Sequence, residues 1–126
     1  MSKGIITLSF DCEGKWGMTD IQTDWDKSLN YDNLFKAYLF ILETLKENNI
    51  SATFAFVGAL TESRDYFLEE ITPQLTDSSY DNWLKYSKSR IKDKEEEGWF
   101  MPELLELVKS YEVHEIATHG YTHIPF

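Results

Sequence analysis

Cysteine is nearly absent. Cys12 is the only one among 126 residues, so no intrachain disulfide holds this chain, and a lone thiol fits a reducing compartment. Long apolar runs are missing too: none approaches the roughly 20 residues that a bilayer-spanning helix needs. The opening Met-Ser-Lys-Gly lacks the extended apolar segment of a secretory signal, so the expectation is a cytoplasmic protein with no membrane partner. Basic residues are scarce, with 12 Lys and Arg against 22 Asp and Glu and a formal net charge of -10. A surface of that sign repels phosphate backbones and anionic lipid, which argues against nucleic acid as a partner. It also attracts cations, although an acidic surface that merely keeps a protein dispersed has the same composition. No low-complexity tract and no repeat of solenoid period occurs.

What is present is the composition of an ordinary globular domain, 42% hydrophobic and 27% charged. At this length one domain, residues 1–126, buries about two thirds of its unfolded surface, with no room for a second. Residues 4–10 (GIITLSF) are short, apolar and rich in β-formers, which predicts a buried strand stopped by Asp11-Cys12-Glu13-Gly14. Residues 15–30 show no period and read as a long loop in which Trp16, Ile21 and Trp25 need cover. From Asp32, read as an N-cap, Leu34, Tyr38, Ile41 and Leu45 recur at helical spacing until Asn48-Asn49. Residues 50–57 (ISATFAFV) predict a second buried strand closed by Gly58, joined to the first by a parallel crossover.

Residues 61–94 are amphipathic and mostly helical in pattern, interrupted by Pro73 and by a Thr-Asp-Ser-Ser turn at 76–79; the insert-like region runs to about residue 99. The run KDKEEE at 92–97 reads as a solvated helix face or end. Pro102 opens a further helix with Glu103 and Glu106 near its start and Lys109 near its end, as the macrodipole prefers. Residues 113–117 (VHEIA) predict a third strand. The order β-α-β-α-α-β is an α/β pattern, and parallel strands carry their sites at their C-terminal ends. Two polar clusters fall there, residues 11–14 and residues 118–123.

Alternation along an extended chain puts Asp11 and Glu13 on one face and Cys12 on the other. Two carboxylates held close repel unless a cation lies between them or one carries a proton, which suits a metal ligand beside a general base. A loop cap or a solvated pair has the same sequence. His119 and His123 form H-x-x-x-H, which on a helical turn brings two imidazoles to one face, and two His with one carboxylate are a common ligand set for catalytic zinc. His114 reads as a packing residue in the strand, and Cys12 as a small core residue.

The strings at 8–14 (LSFDCEG), 50–58 (ISATFAFVG) and 113–123 (VHEIATHGYTH), in that order, resemble the polysaccharide deacetylase family, the NodB-homology domains of carbohydrate esterase family 4. The resemblance implies a partial (β/α) barrel, parallel strands with helices outside, truncated after three strands. It implies Asp11 as catalytic base and Glu13, His119 and His123 as ligands of a divalent metal, zinc first. Where many members have adjacent aspartates, this chain has Cys12 and then Glu13, which leaves open whether Asp11 also touches the metal. The implied activity is hydrolysis of acetyl groups, N-acetyl first, from a sugar or polysaccharide substrate. Trp16 is a candidate for stacking on a sugar ring, or for packing its loop onto the domain.

Family domains continue beyond a segment of this kind and supply a general acid, so little turnover is expected of this chain alone. An open sheet edge predicts exposed apolar surface and self-association. A non-catalytic metal- or partner-binding module, a structural piece that binds no metal, and a metallohydrolase of a non-carbohydrate amide are the alternatives.

Overall fold

Three short strands, β1 (Ser9–Cys12), β2 (Thr53–Phe56) and β3 (Glu115–Thr118), form a parallel sheet in the order β1-β2-β3 in the computed structural model. The structure describes residues 4–20, 27–75, 78–92 and 95–124. Ile21, Trp25, Thr76, Asp77, Asp93 and Lys94 therefore lie outside the described residues. The α/β class and parallel strands expected from the sequence are present.

Register decides what each face carries. Phe10, Phe54 and Ile116 align across the three strands, as do Asp11, Ala55 and Ala117 one residue later. Because side chains alternate, the first row and the second point to opposite faces. The aromatic face is covered by α1 (Tyr31–Glu47) and a later helix, Pro102–Lys109. Their Leu42, Leu45, Leu104 and Val108 join Cys12, Phe54 and Phe56 in one buried cluster. Phe10 stacks on Phe54 at 5.1 Å and Tyr38 reaches Phe56 at 6.2 Å. The opposite face carries the small and polar row, including a hydrogen bond from Thr53 Oγ1 to Glu115 at 2.7 Å.

Several boundaries differ from the sequence expectation: β2 is Thr53–Phe56 rather than 50–57, and β3 is Glu115–Thr118 rather than 113–117. The first strand begins at Ser9, not at residue 4, and Ile5 and Ile6 stand 90% and 89% exposed. Pairing sets this limit, since the ladder to β2 starts with Thr53 N–H donating to Leu8 O at 3.0 Å. Apolarity alone forms no strand without a neighbour to accept its hydrogen bonds. The first helix is capped by Asn30 rather than Asp32. Asn30 has extended backbone and its side chain accepts from Asn33 N–H at 3.0 Å, while Asp32 lies in the first turn, where its charge meets the helix dipole. The helix ends at Asn48, and Asn49 turns left-handed at φ 54°.

The mostly helical stretch resolves into short pieces. A 3-10 turn at Gly58–Thr61 leads to α2 (Arg64–Tyr66), capped by Ser63, then a wide π turn at Phe67–Ile71 and a 3-10 turn at Thr72–Gln74. Pro73 lies in that last turn, where its missing N–H interrupts a regular helix. Helices α3 (Ser78–Trp83), α4 (Lys85–Lys92) and α5 (Pro102–Lys109) follow. No helix among the described residues is long and apolar enough to cross a membrane. The expected apolar surface is present around the sheet ends, with Ile5, Ile6, Ile50, Val113 and Ile116 exposed.

His114 precedes β3 and packs as expected, edge-on to Phe54 at 5.2 Å. Its Nδ1 accepts from Ala52 N–H at 3.3 Å, which puts the ring proton on Nε2, a buried atom without a partner. Burial lowers the His114 pKa below its ordinary value near 6.5. A pKa lower in the folded than in the unfolded chain contributes stability above about pH 6.5 that is lost as pH falls below it. Urea midpoints at pH 7.5 and pH 5.5 are expected to differ more for wild type than for His114→Phe. Equal differences would remove His114 from the acid response.

Candidate metal centre

Glu13 is the first residue past β1, and a sharp turn fixes where its side chain goes. Its backbone leaves the strand at φ -109°, ψ -25° and opens a 3-10 turn at Gly14–Met18. Gly14 is left-handed at φ 54°, and a Cβ there would lie 2.3 Å from Gly98 O. Only glycine fits that approach. The turn is then held by Lys15 N–H donating to Gly98 O at 2.8 Å and Trp16 N–H donating to Glu13 O at 3.0 Å. The Lys15 side chain is buried and ion-paired with Glu95, both of whose oxygens Arg90 also contacts at 2.6 Å. Burial alone would raise the Glu95 pKa, but hydrogen bonds from Arg90 and Lys15 outweigh it and hold the carboxyl below its usual range.

The two histidines arrive from β3 by a different route than the spacing suggested. His119 extends the ladder, its N–H donating to Phe56 O at 2.7 Å. Residues 119–124 then form an irregular loop, not the helical turn expected of H-x-x-x-H, with Gly120 at φ 72° and His123 at φ 57°. The loop is pinned from the 3-10 turn after β2 and from α3, because Gly58 N–H and Ala59 N–H donate to Gly120 O (2.9 Å) and Tyr121 O (2.8 Å), and Trp83 Nε1 donates to Thr122 O at 2.8 Å. These bonds take backbone groups that a helix would have used internally, and two left-handed residues complete the reversal.

The outcome is convergence of side chains 106 residues apart. Glu13 Oε1 lies 3.0 Å from His119 Nε2 and 2.9 Å from His123 Nε2, and the two rings are 5.0 Å apart. Glu13, His119 and His123 offer ligand atoms that all lie within 4.8 Å of one another. Asp11 Oδ2 stands 3.8 Å from His119 Nε2, with its side chain 57% exposed. Two imidazole nitrogens and a carboxylate oxygen at these separations fit a first-row divalent ion, since ligands at about 2.0–2.2 Å on a tetrahedral zinc lie roughly 3.3–3.5 Å apart. A small opening of the triad admits it. His123 Nδ1 is buried without a hydrogen-bond partner, so the orientation of this ring is set by its pinned loop, 6.4 Å from the Trp83 ring.

No family model, curated protein or solved structure matches this chain. The donor set therefore carries the chemistry by itself. Of the residues singled out from the sequence, Asp11, Glu13, His119 and His123 come together at the C-terminal rim of the sheet, and His114 and Cys12 do not join them. Cys12 faces the core beside Tyr38, where burial first, then the Asp11 and Glu13 charges, push its thiol up to about 11 against a Tyr38 hydrogen bond. Such a thiol is a poor metal ligand.

Trp16 is corrected as a sugar platform. Its ring is fully buried, edge-on to Trp99 at 5.2 Å and tilted against Phe67 at 5.3 Å, and its Nε1 donates to Trp99 O at 2.6 Å. An indole with no exposed face packs the turn onto the domain and cannot stack on a ligand. Three residues of the site escaped the sequence reading as site residues. Trp83 anchors the histidine loop; Gly58 leaves room for Tyr121, whose Cδ2 would lie 2.6 Å from a Cβ there; Gly17 sits under the Glu13 carboxylate. Only Gly58, which closes the second strand segment, carried a sequence signal.

Proposed function

We propose that this chain carries the metal-binding and base-bearing part of a metal-dependent deacetylase site of the polysaccharide deacetylase type, within a partial NodB-like barrel. The substrate class is an acetylated sugar or polysaccharide, N-acetyl first. The observation that carries this reading is the approach of Glu13 Oε1 to both His119 Nε2 and His123 Nε2, with Asp11 Oδ2 3.8 Å from His119 Nε2.

Glu13, His119 and His123 hold the divalent ion, zinc first. Bound there, it supplies Lewis-acid polarisation of the acyl carbonyl and acidifies water. Asp11 Oδ2 accepts the proton of the attacking water as the new carbon–oxygen bond forms. When the carbon–nitrogen bond breaks, the departing amine takes its proton from the general acid that such a domain supplies beyond this segment, and Asp11 releases its own proton to solvent. Proximity of Asp11 to the triad, together with its solvent exposure, lets one carboxylate take up and release a proton while Glu13 stays engaged by the histidines.

Asp11→Asn separates the two carboxylate roles. It is expected to keep divalent-metal affinity within about threefold while taking the small acetate release expected of this chain on acetylated oligosaccharides down to background. Calorimetry and an acetate assay on the metal-loaded chain check both. Metal affinity falling as far as in Glu13→Ala would make Asp11 a ligand. Cleavage of non-sugar amides in preference to acetylated sugars would move the substrate class.

A further inference from the structure

Gly17 lies four residues beyond Glu13 on the same 3-10 turn and has no part in the chemistry proposed above. A Cβ built on it would fall 2.0 Å from Glu13 Oε2, 3.0 Å from Glu13 Cδ and 3.2 Å from Glu13 Cβ. No real Cβ tolerates the first of these distances, so one side must move. The backbone of the turn is the side that does not. Lys15 N–H is bonded to Gly98 O, the Lys15 side chain is buried against Glu95, and Trp16 is locked in the core with its Nε1 on Trp99 O. The Glu13 carboxylate is the free end of a flexible side chain, and it is the group that yields.

We infer that Gly17 is a positioning residue for the metal ligand Glu13, its missing side chain being the space that lets the carboxylate lie with Oε1 between His119 and His123. The inference rests on the metal-site reading above. It differs from the role of Gly14 and Gly98, whose left-handed backbones at φ 54° and 79° require glycine for local conformation. Gly17 is absent from the left-handed set, so alanine is compatible with its backbone and gains on glycine in a helical turn. Substitution at Gly17 therefore separates site geometry from folding, whereas substitution at Gly14 or Gly98 strains both.

The test is Gly17→Ala in the full chain, with three readouts: zinc and cobalt affinity by calorimetry, the thermal unfolding midpoint of the metal-free protein, and the His119 and His123 Nε2 resonances in the metal-free protein. Expected are an affinity loss of at least about tenfold, a midpoint equal to or above wild type, and displaced Nε2 resonances for both histidines as Oε1 leaves them. Unchanged affinity with unchanged Nε2 resonances in a folded variant would overturn the inference. So would a variant that fails to fold, because Gly17 would then serve packing rather than the ligand. A wild type that binds neither metal defeats the metal reading alone, and the Nε2 resonances still decide whether Gly17 sets the Glu13 carboxylate.

Discussion

Glu13→Ala and the His119→Ala/His123→Ala pair are each expected to abolish stoichiometric divalent-metal binding, lowering affinity by at least about 100-fold. Loss of an outer partner of a ligand already costs about 10–100-fold, and loss of a ligand costs more. The expectation follows from the count of donors. Three residues converge among the described side chains, so removing one leaves two, and two donors do not compete with water for a hydrated ion. Calorimetry with elemental analysis of the purified chain reads the result directly. Binding that survives loss of both histidines would place the ion elsewhere on the acidic surface. Folding need not suffer: Glu13, His119 and His123 are half-buried at the rim, and removing the carboxylate leaves the turn beneath it held by Lys15 and Trp16.

Trp16→Ala is expected to have the opposite signature, a large loss of stability. A fully buried indole truncated to a methyl group costs about 3–5 kcal/mol through lost transfer energy and the cavity left behind. Here it also strands the Trp99 carbonyl and removes the edge-on contacts to Trp99 and Phe100. Much of the margin of a domain this size, about 5–15 kcal/mol, is at stake. Chemical denaturation measures it. A variant of near wild-type stability that loses only sugar affinity would restore the stacking role that the buried ring contradicts. Because the same turn carries Glu13, Trp16→Ala is also expected to loosen the metal site, whereas the metal-ligand variants leave the core intact.

The contrast between Trp16 and Glu13 shows what could be read before the fold was in hand. Both belong to one polar, glycine-containing stretch, and alternation along the strand correctly set Cys12 inward and Asp11 with Glu13 outward. It did not reveal that Glu13 leaves the strand and enters a turn, because that depends on Gly98 approaching Gly14 from a segment 84 positions away. Likewise H-x-x-x-H marked two histidines that do converge, but not by the helical turn it implied. Helical spacing would have faced them together, but the chain achieves the same convergence through a loop tied to Gly58, Ala59 and Trp83. The first strand was overextended for a related reason: residues 4–8 satisfied the pattern, yet the ladder to β2 reaches back only to Leu8 O and none of them became strand.

By itself the sequence determined the α/β order, the parallel strands, the first helix, and the four rim side chains that offer oxygen and nitrogen donors. Those are local properties, written in hydrophobic period and residue chemistry. Tertiary structure alone decided how Glu13 reaches the imidazoles, that Trp16 is core, and that Gly17 makes room for Glu13. Each of these depends on distances between segments far apart in the chain, and such distances are set by how the packed elements come to rest on one another, which no spacing along the sequence encodes.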